Sequence, residues 1–243
     1  MNKWRSSLAR TARRGRKSSN DRLHVEGILY ALRTGVPWRD LPSEFGAWSS
    51  VYSRFRRWSQ KGLWDSILTT LSELYSDNEY IMVDSTIMRM HQDGSNPKGG
   101  QYPQAMGCSK GGLSSKIHMA CDALGYPLSC IITGGQRSDV TQGKALLARH
   151  LRAKSYALLD AGYDSNEIRM FVEQRKATAV IAYRKNRIQI PDFDKHIYKE
   201  RHKVENLFQR LKRYRRIATR YEKTHLAFKA MVTIASIMLY IRA

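Results

Sequence analysis

The chain has 243 residues, enough to bury a sizeable hydrophobic core in one domain with an appendage or in two small domains. Its 42 Lys and Arg residues outnumber its 21 Asp and Glu residues and give a net charge of +21, so a polyanion is the expected partner. The three cysteines are spaced 13 and 9 residues apart, which suits neither a disulfide framework nor a zinc site.

A membrane location is not expected. The first 19 residues carry charges throughout and lack the apolar core of a signal peptide. The longest apolar run, residues 231–241, is interrupted by Thr233 and Ser236 and is too short to span a bilayer. We therefore expect a cytoplasmic protein.

The positive charge lies in two separate regions. Residues 1–67 and residues 184–223 each carry 14 basic and 5 acidic side chains, a net +9, whereas residues 68–183 carry 12 and 11. A membrane-surface protein of this charge would be expected to have one basic amphipathic helix. Two basic regions around a nearly neutral middle instead favour contact with a phosphate backbone around a catalytic body.

The first 76 residues are predicted to form a basic tail and a small helical domain. Residues 1–20 are rich in Arg, Lys and Ser and lack apolar periodicity, which predicts a flexible tail that contacts phosphate. Apolar spacing and capping residues then predict a helix from Asp21 to near Gly35, a second over 47–60 and a third over 64–74. The predicted domain covers residues 21–76.

The second of these helices is the best candidate for DNA contact in this half of the chain. Its aromatic residues are expected to pack inward, while Arg54, Arg56 and Arg57 point outward. The alternative is a basic surface helix that contacts nothing specific.

From residue 79 onward the pattern changes to short strands separated by turns. Strands are predicted over 80–86, 116–122, 127–133, 155–160 and 177–183, with helices over 139–148 and 165–175. The Gly-rich segment 91–112 is predicted to lack regular structure. Three strands in a meander followed by strand–helix units predict a mixed α/β fold, with a five-stranded sheet and flanking helices over residues 79–243. If the fourth strand pairs with the first, the topology is ribonuclease H-like.

A late amphipathic helix is predicted over residues 197–214. At about 100° per residue its buried face holds Val204, Leu207, Phe208 and Leu211. A narrow polar stripe beside that face holds Tyr198, Arg201, Glu205 and Lys212. Taken alone, Arg201 and Glu205 could be an ordinary surface pair worth a few tenths of a kcal/mol.

Two aspartates earlier in the chain indicate that Glu205 is a metal ligand. Asp84 lies in the first predicted strand and Asp160 ends the fourth, so the ribonuclease H-like topology would bring both to one sheet edge beside Glu205. Hard divalent ions take oxygen ligands and keep several waters, so three carboxylates can hold a pair of them. The sequence therefore predicts a magnesium (or Mn²⁺) site for cutting phosphodiester bonds.

Three motifs resemble those of the DDE transposases of bacterial insertion sequences. These are VDST at 83–86, LLDAGYD at 158–164, and the spacing Tyr198-x2-Arg201-x3-Glu205-x6-Lys212, which is similar to the signature of insertion sequence family 5. The stretches 111–139 and 36–58 are also similar to that family, so the resemblance covers nearly the whole chain.

The resemblance implies a metal-dependent enzyme that cleaves insertion-sequence ends and joins them to target DNA. Asp84, Asp160 and Glu205 would bind the metal, with Tyr198, Arg201 and Lys212 near the DNA. The partners would be transposon-end inverted-repeat DNA and target DNA, with a homodimer in the synaptic complex and a nucleoid-associated location. The basic run of Arg213, Arg215, Arg216 and Arg220 would add affinity without sequence preference.

Two departures from the family and two other functions bear on this interpretation. The family usually has more helical sequence before the Arg-rich segment, so we expect recognition of DNA ends to be incomplete. Cys108 stands where a basic residue is expected. The alternative functions are a related ribonuclease H-like nuclease and a catalytically decayed relic that occupies transposon ends.

Overall fold

The computed structural model describes residues 20–188 and 191–242, so the predicted basic tail lies almost wholly outside the described residues. Three helices come first: α1 (Asp21–Thr34), α2 (Trp48–Gln60) and α3 (Leu63–Tyr75). Gly35, with a φ of 76°, ends α1 in the left-handed conformation that glycine adopts without strain. All three helices occur where the sequence predicts them.

A seven-stranded mixed sheet follows the helices. Its strands are β1 (Tyr80–Met90), β2 (Gly107–Ser109), β3 (Gly112–Cys121), β4 (Pro127–Gly134), β5 (Tyr156–Leu159), β6 (Thr178–Ile181) and β7 (Thr219–Arg220). The order is β2-β3-β1-β5-β6, with β4 also pairing with β3 and β7 with β1. The mixed α/β class is confirmed, and so is the parallel pairing of the first predicted strand with the fourth.

The two additional strands, β2 and β7, are short. The prediction that segment 91–112 lacks regular structure is wrong at its end, where β2 pairs with the beginning of β3. Gly112, with a φ of 91°, allows the tight turn that joins these two strands.

Helices cover both faces of the sheet. On one face, α4 (Val140–His150) and α5 (Asn166–Gln174) pack against side chains such as Ile81 and Leu159. On the other face lie α6 (Lys195–Tyr198), α7 (His202–Lys212), α8 (Arg215–Ala218) and α9 (His225–Ile241). No helix among the described residues has the length and apolarity needed to cross a membrane.

The amino-terminal helices share a core with this second face. Phe55 and Trp58 of α2 belong to the same buried cluster as Met82 of β1 and Met231 of α9. α3 contacts β4 directly, whereas α1 and α2 pack against α8 and α9 on this face. The helices therefore share the core of this layer, and the domain boundary near residues 76–79 stays a prediction.

The predicted helix over 197–214 consists of α6, a 3₁₀ turn at Lys199–Arg201, and α7. The predicted apolar face is confirmed, since Val204, Leu207, Phe208 and Leu211 are all buried. The tighter 3₁₀ turn places Arg201 at the junction of the two helices.

Arg216 does not have the DNA-contacting position predicted for it. Its side chain is 3% exposed and pairs with Glu222. It also donates to the carbonyl oxygens of Ala31, at 3.1 Å, and Val36, at 2.6 Å. The prediction of a phosphate contact is therefore wrong for Arg216, because the guanidinium is used inside the protein to link α8 to the end of α1.

Arg220 is also a buried residue rather than a phosphate ligand. It is fully buried and donates to the Ser115 hydroxyl at 2.6 Å and to the carbonyl of Gln104 at 2.8 Å. Burial lowers the pKa of Arg220 to about 10. Its role is to hold the loop before β2 against β3.

A buried carboxylate fixes the turn that follows β5. The side chain of Asp164 is 1% exposed and accepts hydrogen bonds from Arg169 and Arg187, each at 2.9 Å. Its second oxygen accepts the backbone N–H of Arg184 at 3.1 Å, and the Arg184 side chain donates to carbonyls in the turn Ala161–Tyr163. Asp164 therefore ties the segment after β6 to the turn that begins at Asp160.

We expect Arg216→Ala to lower the free energy of unfolding by about 3–5 kcal/mol, because it leaves the buried Glu222 without its charged partner. Urea denaturation measures the change. Arg215→Ala is the matched control: Arg215 is the exposed neighbour, so its removal should change stability by less than about 0.5 kcal/mol. Equal effects of the two variants would contradict the structural role of Arg216.

Asp164→Asn is expected to cost on the order of 3 kcal/mol, because two partly buried guanidinium groups lose their charged partner. Burial raises the pKa of Asp164, but the Arg184 amide, Arg169 and Arg187 together outweigh burial and hold the pKa below its ordinary value. The stability that depends on the charged carboxylate is therefore present above about pH 4 and is lost as pH falls through the lowered native pKa.

Urea denaturation across a pH series tests this second prediction. The difference between the wild type and Asp164→Asn should shrink as the pH falls below about 4. Asp192→Asn, at an exposed loop carboxylate, should leave stability nearly unchanged. A difference that is constant with pH would show that the charge of Asp164 does not contribute.

Candidate active site

The pairing of β1 with β5 places Asp84 beside Asp160. Met82 and Leu158 are register partners, and both side chains belong to the core beneath α7. Side chains two residues further along a strand point to the same face, and Asp160 keeps an extended backbone. Both carboxylates therefore face the layer that contains α7, as the sequence predicts.

Backbone amides orient these two carboxylates. The N–H of Ser85 donates to Oδ1 of Asp84 at 2.8 Å, and the N–H of Gly162 donates to Oδ1 of Asp160 at 2.9 Å. A Cβ atom on Gly162 would lie 3.0 Å from that oxygen, so a side chain there would crowd the carboxylate. The glycine of the AGY turn is explained by this close approach.

Arg201 connects Asp84 with Glu205. Its Nη1 donates to Asp84 Oδ2 at 2.7 Å, and its Nη2 donates to Glu205 Oε1 at 2.5 Å. The side chains of Asp84 and Arg201 are 15% and 16% exposed, whereas that of Glu205 is 53% exposed. The predicted i, i+4 pair is present, and it is one half of a bridge between α7 and β1.

The Arg201 bridge keeps Glu205 apart from Asp84 and Asp160. Within residues 20–188 and 191–242, no three His, Cys, Asp or Glu side chains lie close enough together to hold a metal ion. Asp84 and Asp160 are neighbours, but the Arg201 guanidinium lies between Asp84 and Glu205. The donor set still suits a hard divalent ion, because it consists of carboxylates and already binds one cation.

The electrostatics of Asp84 show how strongly this place favours a cation. Burial raises the pKa of the Asp84 carboxyl, and the nearby charge of Asp160 raises it further. Arg201 and the Ser85 amide act in the opposite direction by stabilising the charged form. Two neighbouring carboxylates with limited access to water are most stable when a positive charge lies beside them.

A second polar cluster lies behind Asp84, on the opposite face of β1. The Ser85 hydroxyl donates to Asp139 Oδ1 at 2.6 Å, and Lys116 Nζ donates to the same oxygen at 2.9 Å. His118 is fully buried and bonds Thr133 at 2.8 Å, and burial lowers its pKa to about 4. Sequence reasoning missed this cluster, although strand alternation places Ser85 opposite Asp84.

The residues predicted to contact DNA differ in exposure. Those with exposed side chains are Arg56, Arg57, Lys212, Arg213 and Arg215. Arg54 is 19% exposed, pairs with Asp21 at 3.2 Å and lies over the Trp58 ring.

Tyr198 is half-buried in the site, beside Arg201. Its ring lies against Phe193 at 5.3 Å and beneath the Arg201 guanidinium at 5.9 Å. Tyr198 and Arg201 are therefore part of the site itself, and Arg56 and Arg57 lie elsewhere, on α2.

Comparison with protein families finds two matching segments. Residues 75–240 match the family described as "Transposase DDE domain", and residues 3–68 match that described as "Putative transposase of IS4/5 family". The first match covers more than half of the chain and includes Asp84, Asp160 and Glu205.

Similar proteins agree with this assignment. The Brucella ovis protein described as a putative transposase for insertion sequence element IS6501 is 40% identical over 131 residues, which are 54% of this chain and 100% of that protein. The protein with the same description for element IS402 of Burkholderia cepacia is 28% identical over 160 residues, 62% of this chain and 69% of that protein.

A solved structure has the same fold. It is that of the piggyBac transposase synaptic complex with hairpin DNA, with a TM-score of 0.57 and 13% identity. The alignment covers 99% of this chain and 71% of the other. The ribonuclease H-like fold is confirmed, and with the family match over residues 75–240 we conclude that the chain belongs to the DDE transposases of insertion sequences.

Proposed function

We propose that this transposase cuts DNA at the ends of an insertion sequence and joins the resulting 3′ ends to target DNA, with Asp84, Asp160 and Glu205 as its metal ligands. The observation that carries the proposal is the arrangement of these carboxylates. Asp84 lies in β1 and Asp160 directly follows the paired strand β5, and one guanidinium links Asp84 to Glu205. DDE transposases use divalent metal, which fits such a site.

Each carboxylate has a distinct proposed role. Asp84, which neighbours Asp160 and is linked to Glu205 through Arg201, would contact both ions, Asp160 would hold one and Glu205 the other. The all-oxygen donor set favours Mg²⁺ or Mn²⁺. When bound, such ions supply an activated water and neutralise charge on the attacking and leaving oxygens.

The protein residues would position DNA for two successive attacks on phosphorus. Water attacks first and breaks the P–O3′ bond at the transposon end, which frees a 3′ hydroxyl. That hydroxyl then attacks a phosphorus of target DNA and displaces the 3′ oxygen of the target strand. This sequence needs no covalent bond between protein and DNA. Tyr198 is therefore proposed as a supporting residue, and its contacts with Phe193 and Arg201 fit that role.

Exposed basic side chains on two elements would bind the phosphate backbone. Arg56 and Arg57 lie on α2, and Lys212, Arg213 and Arg215 lie at and after the end of α7. Such contacts give affinity without sequence preference. The proposed ligands are inverted-repeat DNA at the transposon end and target DNA. The piggyBac transposase, which has a related fold, has been solved as a synaptic complex with hairpin DNA.

Joining two ends requires two active sites, so we propose a homodimer in the synaptic complex. The substrate also implies that the protein works at the nucleoid. The predicted helical DNA-binding domain over 21–76 and catalytic domain over 79–243 are part of the same proposal, with α2 as the element of the first that contacts DNA.

Asp84→Asn, Asp160→Asn and Glu205→Gln are each expected to lower the rate of end cleavage by at least about 1,000-fold, because each removes one metal ligand. DNA binding should remain close to that of the wild type. A nicking assay with Mg²⁺ and labelled insertion-sequence ends measures the first effect, and a gel-shift assay the second.

Glu200→Gln is the matched control for these variants. Glu200 lies one turn before Glu205 but pairs with Lys203, at 2.6 Å, so cleavage should be unchanged. Near-normal cleavage by any one of the three ligand variants would contradict the role of that residue. Binding without nicking by the wild type would instead favour the catalytically decayed relic.

Arg57→Ala is expected to weaken DNA binding about equally for all sequences and to lower the slope of log K against log salt by about one. Fluorescence anisotropy at several salt concentrations measures both. Lys144→Ala, which removes an exposed cation from α4 on the far face of the sheet, should change neither. An unchanged salt slope in Arg57→Ala would contradict a phosphate contact by α2.

A further inference from the structure

Two of the three carboxylates proposed as metal ligands already bind a cationic side chain of the protein. The Arg201 guanidinium bonds Asp84 with one nitrogen, at 2.7 Å, and Glu205 with the other, at 2.5 Å. Only 16% of the Arg201 side chain is exposed, so this contact has limited access to water. Ion pairs of this kind are screened less by salt than pairs on the surface.

A divalent ion and this guanidinium cannot share the site as it stands. Asp84 Oδ1 accepts the Ser85 amide, and Asp84 Oδ2 faces Arg201. An ion bound by Asp84 and Glu205 would lie within a few ångströms of the guanidinium, where two positive charges repel strongly. Metal binding therefore requires Arg201 to give up at least one of its two carboxylates.

Phosphate is the natural alternative partner for the displaced side chain. The planar fork of an arginine matches a phosphate as well as it matches a carboxylate. Lys212 lies two helical turns beyond Glu205 on the same stripe and is exposed, so a DNA strand along this stripe would pass both cations. Tyr198, whose ring lies beneath the guanidinium, offers a surface along which it could move.

We propose that Arg201 competes with divalent ions for Asp84 and Glu205 in the DNA-free protein and transfers to a DNA phosphate when DNA binds. The inference rests on the proposed function and makes Arg201 the residue that couples metal binding to DNA binding. Bound DNA draws the Arg201 guanidinium away from the carboxylates and so raises their affinity for metal. By linkage, bound metal raises DNA affinity by the same factor.

Mn²⁺ titration of the DNA-free full-length chain tests the competition, with free Mn²⁺ measured by electron paramagnetic resonance. Arg201→Ala and Arg201→Gln should each bind Mn²⁺ at least tenfold more tightly than the wild type. Lys199→Ala is the matched control, because Lys199 is exposed two residues before Arg201 and its removal takes away the same charge without releasing a carboxylate. Its Mn²⁺ affinity should stay within about twofold of wild type.

The transfer to phosphate is tested by repeating the titration with a short DNA duplex of random sequence. The duplex should raise the Mn²⁺ affinity of the wild type and of Lys199→Ala. It should raise that of Arg201→Ala much less, because the competing cation is already gone. A thermal melt of each variant confirms that it is folded before titration.

The outcomes separate this inference from the proposed function. Equal Mn²⁺ affinities in the wild type and Arg201→Ala, both lost on Asp84→Asn, would overturn the competition and leave the metal site in place. Mn²⁺ binding that Asp84→Asn does not affect in any of the variants would overturn both. Tighter binding in Arg201→Ala with an undiminished effect of DNA would overturn the transfer to phosphate.

Discussion

The parallel register between β1 and β5 is the constraint on which the candidate active site depends. A shift by one residue would turn Asp84 or Asp160 to the opposite face of the sheet. The register is fixed where the two strands begin, because the Tyr156 amide donates to Glu79 and the rings of Tyr80 and Tyr156 meet edge to face at 5.5 Å. This pairing therefore places Asp84 and Asp160 on the face of the sheet that α7 contacts.

The basic residues of this chain serve two different purposes, although they share a region of the sequence. Arg216 and Arg220 are buried and bind carbonyl and carboxylate groups of the protein itself. Arg213 and Arg215, their neighbours, are exposed and available to DNA. A net charge of +21 is therefore only partly a measure of the surface that a nucleic acid would meet.

Much of this architecture could be predicted from the sequence because it follows from periodicity. Alternation in the first strand placed Met82 and Asp84 on one face, and the 3.6-residue period correctly placed Val204 and Leu207 in the core. The motifs around Asp84, Asp160 and Glu205 then pointed to the family that the comparisons confirm.

Contacts between distant segments could not be predicted in this way. Nothing local distinguishes Arg216 from Arg215, since the partners of Arg216 are Glu222 and carbonyls of residues far earlier in the chain. The same holds for Arg201: its pairing with Glu205 follows from helical spacing, but its bond to Asp84 joins residues 117 positions apart. Tertiary packing determines which groups these arginine side chains contact.

The shared core between α2 and the sheet has a mechanical consequence. Phe55 and Trp58 are buried in the same core as Met82, and Arg216 links the end of α1 to α8, so the helical region is joined to the layer that carries the carboxylates. If α2 binds DNA as proposed, this connection would set the number of base pairs between the segment that α2 contacts and the bond that is broken.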